Sequence, residues 1–277
     1  MKKIVVKILS VIVIMAVCVA CGDGAGGSDR MRMTVEGSGE VSFYLSGSGT
    51  VTIDWGDGSD RTVRELERGA SPRFSKVYAP GSHTITIKGS GITGLTWQGS
   101  IIITDRRDDI ALTSLDVRRN PKLTSLTVCN AQLTSLDVSR NTALTNLYVR
   151  QNQLTSLDLS RNTALRYLTV SQNQLASLDL RQNLELRRVL VYKNQLTSLN
   201  VSRYAVGLIH LSADNNQLAT FALNALFESL PEFNFLLTPD ISCVFNGTIF
   251  IHGNPGTSGA DRSIATAKGW SFNQRRF

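Results

Sequence analysis

Residues able to carry out chemistry are sparse in this chain of 277 residues. Its three histidines, His83, His210 and His252, fall in separate segments. The spacings typical of a zinc-protease helix, a serine-nucleophile turn or a phosphate loop do not occur in the sequence. A glycosidase needs two carboxylates at a fixed separation in a cleft, whereas the acids here recur in a regular series or lie scattered. We therefore expect no catalytic residue, no cofactor and no resident metal.

Acidic residues that could bind a cation occur in two places. Asp54 and Asp57 lie in the segment TIDWGDGS, where the Gly and Asp residues are typical of a hairpin turn. A second set recurs every 21 residues, at Asp116, Asp137, Asp158 and Asp179. Serine neighbours and nearby arginines such as Arg140 and Arg161 favour a neutralised structural ladder for this set. Turn capping is likewise favoured over calcium binding for the first pair.

The N-terminal segment, residues 1–20, is typical of a secretory signal. Early lysines precede an apolar run of about 13 residues, which is shorter than the roughly 20 residues of a membrane-spanning helix. The ending VAC resembles the lipobox of bacterial lipoproteins and implies lipidation of Cys21, although Cys18 stands where Leu is usual. Residues 21–32 are expected to be a flexible tether. The resemblance implies an exported protein, lipid-anchored to the bacterial outer membrane, with surface exposure left open.

The charge distribution argues against a nucleic-acid partner. Removal of residues 1–20 takes away three lysines and lowers the formal net charge from +7 to +4. The remaining basic residues are mostly isolated, whereas a nucleic-acid site needs a basic stripe with stacking aromatics. The remaining cysteines, Cys129 and Cys243, lie far apart and do not indicate a disulfide framework.

Residues 33–89 have the alternating pattern of half-buried β-strands. The motif TIDWGDGS followed by KVYAPGSHTITIKG resembles the PKD-like β-sandwich, an immunoglobulin-like module common in surface proteins. The resemblance implies a spacer or contact module without catalytic activity.

Internal repeats predict the fold of residues 90–221. Leucines recur every 21 residues in two series, one being Leu112, Leu133, Leu154, Leu175 and Leu196, and the other Leu123, Leu144, Leu165 and Leu186. The segments 144–154 and 165–175 match the leucine-rich-repeat pattern LxxLxLxxNxL at every defining position, whereas Ala131 replaces the Asn of the piece that starts at Leu123. Each copy contains two strand-like pieces, and Ile92-Leu95-Trp97 is interpreted as a degenerate N-terminal cap repeat. Because one copy cannot bury enough apolar surface alone, we expect a stacked solenoid.

Two asparagine ladders should tie the stacked copies together, about 4.8 Å apart along each ladder. They comprise Asn152, Asn173, Asn194 and Asn216 in one half of the repeat, and Asn120, Asn141, Asn162 and Asn183 in the other.

Residues 222–277 are expected to form a C-terminal α/β cap. ALNALFESL has helical spacing and ends at Pro231, and GTIFIHGNPG is interpreted as a strand and a turn. GNPG together with AxxKGW resembles the C-terminal part of leucine-rich-repeat lipoproteins of Bacteroides-like bacteria, and the repeats more distantly resemble those of internalins. The expected fold class is mainly β with short helices: a PKD-like sandwich, a leucine-rich-repeat solenoid and the cap.

The two halves of the repeat differ in what they present outward. One half repeats small polar residues, as in Ser135-Asp137-Ser139, whereas the other varies. The resemblance to leucine-rich-repeat proteins places the variable half on the concave sheet. Tyr and Arg are enriched at protein-contact hot spots, so the variable half predicts a binding surface. Its candidate residues are Tyr148, Arg150, Tyr167, Arg188, Tyr192 and His210.

The expected ligand is an extracellular or host protein, bound by a monomer in adhesion or surface interaction. Glycan capture, with the tyrosines as stacking platforms, and a purely structural role in the envelope are the alternatives.

Overall fold

The computed structural model describes residues 29–98, 110–233 and 247–273. The predicted signal segment, Cys21 and Cys243 lie outside the described residues. Within these three ranges the chain is mainly β, with fifteen strands and two short helices. Neither helix in this part of the chain has the length and apolar character needed to cross a membrane.

The N-terminal domain is built on a long antiparallel hairpin. Its strands are β1 (Arg30–Gly47), β2 (Gly49–Asp54), β3 (Thr62–Leu66), β4 (Arg73–Lys88) and β5 (Ile92–Gln98). β1 begins inside the segment 21–32 that was expected to be a tether. The reason is that Arg30 and Met31 pair with Lys88 and Ile87 of β4, and Met31 is fully buried.

Ten further short strands follow along the described part of the chain, eight of them before the first helix and two after it. They are β6 (Ala111–Asp116), β7 (Ser125–Cys129), β8 (Asn146–Tyr148), β9 (Tyr167–Thr169), β10 (Ser177–Asp179), β11 (Arg188–Leu190), β12 (Ser198–Asn200), β13 (His210–Ser212), β14 (Gly247–Phe250) and β15 (Trp270–Phe272). The helices are α1 (Thr220–Ser229) and α2 (Arg262–Thr266).

Both faces of the repeat stack continue into the N-terminal domain through β1. Its first half pairs with β6, its second half pairs with β5, and the register with β4 shifts between Gly37 and Gly39. In the second half of β1 the Phe43 ring is part of a buried aromatic cluster, lying 5.9 Å from the ring of Trp55 and 5.8 Å from that of Phe74. The N-terminal domain therefore covers the end of the stack as part of the same sheet.

One face of the stack is a continuous parallel sheet in the order β5-β7-β8-β9-β11-β13-β14-β15. Leu126, Leu147, Leu168, Val189 and Leu211 occupy the same register position on successive strands, and all are buried. The 21-residue period thus sets the strand register, and these residues form a leucine-rich-repeat solenoid. We call this sheet the concave face.

The opposite face has fewer strands than the sequence predicted. β10 and β12 pair with each other and β6 pairs with β1, but residues 135–137 and 156–158 are not in strands. The prediction of two strand-like pieces in every copy is therefore wrong for these copies. Backbone pairing is thus continuous along the concave face and interrupted on the opposite face.

An asparagine ladder runs along the inner edge of the concave sheet. In each copy the Asn side chain accepts a bond from a backbone N–H of the preceding copy and donates to backbone carbonyls. For Asn173 the partners are the N–H of Leu154 at 3.1 Å and the carbonyl of Val149 at 2.7 Å. The residue before each ladder Asn has a positive φ of 52–57°, as at Gln172 and Lys193.

In the second ladder Asn141, Asn162 and Asn183 donate through Nδ2 but have a different acceptor arrangement, whereas neither polar side-chain atom of Asn120 has a hydrogen-bond partner among the described residues. Asn162 donates to the carbonyls of Val138 at 3.0 Å and Asn141 at 2.9 Å. Its Oδ1 is buried and has no hydrogen-bond partner among the described residues, and the same is true of Asn141 and Asn183.

The solenoid extends beyond the expected boundary at residue 221. β14 pairs in parallel with β13, and Asn254 continues the ladder by accepting from the N–H of Leu218 at 3.1 Å and donating to Ala213 at 2.9 Å. Gly253 has a φ of 74°, as the position before a ladder Asn requires. The segment GTIFIHGNPG is thus a further repeat strand. α1 buries Leu223, Leu226 and Phe227 and lies against β12.

Candidate binding surface

Three of the six predicted contact residues lie in one row across the concave face. Tyr167 on β9 is paired with Arg188 on β11, and Arg188 is paired with His210 on β13. Neighbouring strands are about 4.8 Å apart, so the three side chains emerge side by side. The row continues to Asn146 on one side and Thr248 on the other.

The other three residues lie in the next two rows of the same sheet. Tyr148 on β8 is paired with Thr169 on β9. Arg150 and Tyr192 belong to the third row, on either side of Ser171, because the N–H groups of Gln151 and Gln172 donate to the Ser171 and Tyr192 carbonyls. All six predicted residues therefore lie on one surface, spread over four repeats.

Exposure divides this surface into projecting side chains and a buried polar floor. Arg150 and Arg188 are exposed, Tyr167 is 37% exposed, and Tyr148, Tyr192 and His210 are partly buried. Four outward positions between them are buried: Thr169, Ser171, Ser212 and Asp214. A partner would therefore meet tyrosine and arginine side chains above small polar residues.

Hydrogen bonds fix the floor at the C-terminal side of the surface. The carboxylate of Asp214 accepts from the Ser212 hydroxyl at 2.7 Å and from the backbone N–H of His252 at 3.1 Å. The His210 ring lies 5.2 Å from that of Phe250 on β14. The Asp214 carboxylate thus links Ser212 of β13 to the segment that follows β14.

Phe250 and His252 extend the surface, and the sequence interpretation missed them. It placed His210 and His252 in separate segments, whereas β13 and β14 are neighbours. The spacing Ile249-Ile251-Asn254 matches positions 4, 6 and 9 of the repeat and could have identified this strand as a further repeat.

The aspartates of the opposite face act as turn caps. Asp158 accepts from the backbone N–H of Ser160 at 2.9 Å, and the hydrogen bonds from Ser160 lower the pKa of this carboxyl, with a further lowering by the charge of Arg161. Arg118 and Arg181 form ion pairs with the aspartates two residues before them, Asp116 and Asp179. Asp137 likewise accepts from the backbone N–H of Ser139 at 3.0 Å, so each of the four aspartates has a structural role.

The aspartates of TIDWGDGS cap their turn in the same way. Asp54 accepts from the N–H of Gly56 at 3.1 Å, and Asp57 accepts from that of Ser59 at 3.0 Å. Lys76 forms an ion pair with Asp57 at 2.9 Å. Among the residues that the structure describes, no group of three or more His, Cys, Asp or Glu side chains could hold a metal ion, and Cys129 is a free thiol.

No family model matches the sequence, and no curated protein matches it. Among the solved structures that are similar to it are two from Listeria monocytogenes. One is the functional domain of InlJ from Listeria monocytogenes, which includes a cysteine ladder, at 26% identity over 64% of this chain and 42% of that chain, with a TM-score of 0.39. The other is the internalin InlF from Listeria monocytogenes, at 18% identity over 66% of this chain and 56% of that chain, with a TM-score of 0.40. The chain thus spans about half the length of the solved chains it matches.

Proposed function

We propose that the concave face binds a protein ligand outside the cell, in adhesion or in interaction with a host or other surface. The observation that carries this proposal is the row formed by Tyr167, Arg188 and His210 on adjacent strands. Tyrosine and arginine are the side chains that most often dominate the energy of a protein interface. The opposite face offers mainly Ser and Asp side chains that are engaged in their own turns.

The dimensions of the surface favour a protein over a small sugar. From Tyr148 to His210 it crosses four strands, a distance of about 14 Å at the usual strand spacing, and the arginines stand at two of its edges. The buried polar groups of the floor need no rearrangement on binding. The conformational entropy lost on binding would therefore come mainly from the projecting side chains.

The setting of this binding face is part of the same proposal. Residues 1–20 would direct export, Cys21 would carry the lipid, and the N-terminal domain, interpreted as a PKD-like module, would hold the solenoid away from the outer membrane. Support comes from the order of these segments and from the domain's continuous pairing with the solenoid through β5 and β6. The chain would act as a monomer.

A binding screen of the full chain with Cys21→Ser, which removes the proposed lipidation, tests the function. The ligands are extracellular-matrix proteins and a glycan array. The test variant is Tyr148→Ala/Tyr167→Ala/Tyr192→Ala, and the matched control is Ser135→Ala/Ser156→Ala/Ser177→Ala on the opposite face. We expect a protein ligand that is lost in the tyrosine variant and retained in the serine variant. Binding of a glycan that is lost in the tyrosine variant and retained in the serine variant would establish glycan capture instead. If the correctly folded parent protein binds none of these ligands, a structural role is favoured.

A further inference from the structure

A second candidate site lies away from the concave rows, where the N-terminal domain meets the first repeat. It is a cavity of about 540 Å³ that opens between the end of β1, the turn after β3, the start of β5 and the residue before Leu123. Two separate parts of the chain supply its cations: Arg68 comes from the N-terminal domain and Lys122 from the repeats.

The wall of this cavity is polar and cationic. The remaining side chains that line it are the hydroxyls of three serines and one threonine and a single alanine methyl, and no carboxylate or aromatic ring of residues 29–98, 110–233 or 247–273 lines it. The serines are Ser46, Ser48 and Ser71, and the threonine is Thr93. Such a wall complements a ligand that carries negative charge and several hydroxyl groups.

The two cations have no counter-ion within the described part of the chain. Three other cations of the N-terminal domain are paired: Arg61 with Asp54, Arg73 with Glu40 and Lys76 with Asp57. Neither Arg68 nor Lys122 forms an ion pair or hydrogen bond with any described residue. Their charge is therefore available to an external anion.

Backbone contacts hold the walls in place without a ligand. The N–H of Ser48 donates to the carbonyl of Gly91 at 3.0 Å, and a Cβ on Gly91 would overlap the carbonyl of Ser48. The hydroxyls of Ser46 and Ser71 are 2.7 Å apart, which joins β1 to the turn that carries Arg68. The N–H of Thr124 donates to the Thr93 carbonyl at 2.8 Å and fixes the segment that carries Lys122.

We propose that this cavity binds an acidic sugar, with the carboxylate or sulfate group held by Arg68 and Lys122 and the sugar hydroxyls by the serines. Its volume falls within the range of roughly 300–1,000 Å³ that is usual for small-ligand sites, and one carboxylate side chain would fill little of it. A protein anchor would need an aromatic or large apolar pocket, which this wall does not offer. The site is independent of the function proposed for the concave face.

Calorimetric titration of the full chain with Cys21→Ser tests this proposal with four probes: glucuronic acid, glucose 6-sulfate, glucose and a glutamate-rich peptide. We expect saturable binding of at least one acidic sugar, which identifies the oxyanion, and no binding of neutral glucose. Arg68→Gln and Lys122→Gln should each weaken that binding by about tenfold, because each removes one charge-assisted hydrogen bond. Arg61→Gln, which removes an exposed cation of the same domain that is already paired, should leave it unchanged.

Four results would overturn the proposal. They are no saturable binding of either acid, equal binding of glucose, an equal loss in the Arg61→Gln control, and tighter binding of a glutamate-rich peptide than of both acids. The last would identify a protein partner. Because all three substituted side chains are exposed, thermal unfolding should be unchanged in every variant.

Discussion

The side-chain oxygen of Asn173 accepts a hydrogen bond from the backbone N–H of Leu154 at 3.1 Å, across the boundary between two repeats. The amide nitrogen of the same side chain donates to Val149 in the earlier repeat at 2.7 Å. Asn162, in the other ladder, donates to the preceding repeat but has no donor for its buried oxygen among the described residues. The two ladders therefore differ in what they contribute to stability.

Asn173→Ala should lower the free energy of unfolding by about 3 kcal/mol, because it leaves the buried N–H of Leu154 without its acceptor. Asn162→Ala should cost only about 1 kcal/mol. The carbonyls of Val138 and Asn141 keep other donors, the N–H groups of Asn141 and Leu144, and an unsatisfied buried oxygen is removed. Urea unfolding of both variants checks the difference. Equal losses would show that burial alone sets the cost of a ladder substitution.

Gln172→Gly should raise the free energy of unfolding by about 0.5–1 kcal/mol, because Gln172 has a φ of 57° and glycine has no steric cost there. The matched control is Gln174→Gly, an exposed position that does not have a positive φ. Glycine at that position should destabilise the protein through the greater entropy of the unfolded chain. Thermal unfolding of both variants shows whether each change raises or lowers stability. A loss of stability in Gln172→Gly would show that the Gln172 side chain makes a compensating contact.

The period of 21 residues was enough to predict the leucine-rich repeats, because leucine and asparagine positions alone determine which residues point inward. It could not predict the last repeat strand. Gly256 stands two residues after the ladder residue Asn254, where the other repeats have Leu. The segment that contains α1 also interrupts the regular spacing before Asn254.

The sequence pattern also could not predict which residues of the concave face are buried. Alternation identifies Thr169 and Ser171 as outward residues, but their exposure depends on the size of the side chains on neighbouring strands, which the repeat period does not encode. In the same way, the repeat period does not show which copies pair on the opposite face, where β10 and β12 are strands but residues 135–137 and 156–158 are not.

Asp57→Asn should reduce stability at neutral pH and have progressively less effect in acid. Hydrogen bonds from the Ser59 hydroxyl and from Lys76 lower the pKa of Asp57 below its usual value. A carboxyl with a lower pKa in the folded state binds fewer protons there, so its contribution is complete above the unfolded value of about 3.9 and is lost as pH falls below it. Melting temperatures between about pH 6 and pH 2 should therefore converge for the variant and the parent. A gap in melting temperature that stays constant over this pH range would show that the charge of Asp57 has no part in stability.

Arg188→Glu should weaken ligand binding by at least about tenfold, because it reverses a charge in the row that contains Tyr167 and His210. Arg187→Glu is a control of identical chemistry: Arg187 is also exposed but is not one of the outward positions of the concave sheet. Neither change should alter the free energy of unfolding by more than about 0.5 kcal/mol, since both side chains are exposed. The measurement is the dissociation constant of any protein ligand found in the screen, at low and high salt. A concave-face site predicts a large, salt-sensitive loss for Arg188→Glu alone, whereas equal losses would mean that the ligand responds to net charge and that the binding surface lies elsewhere.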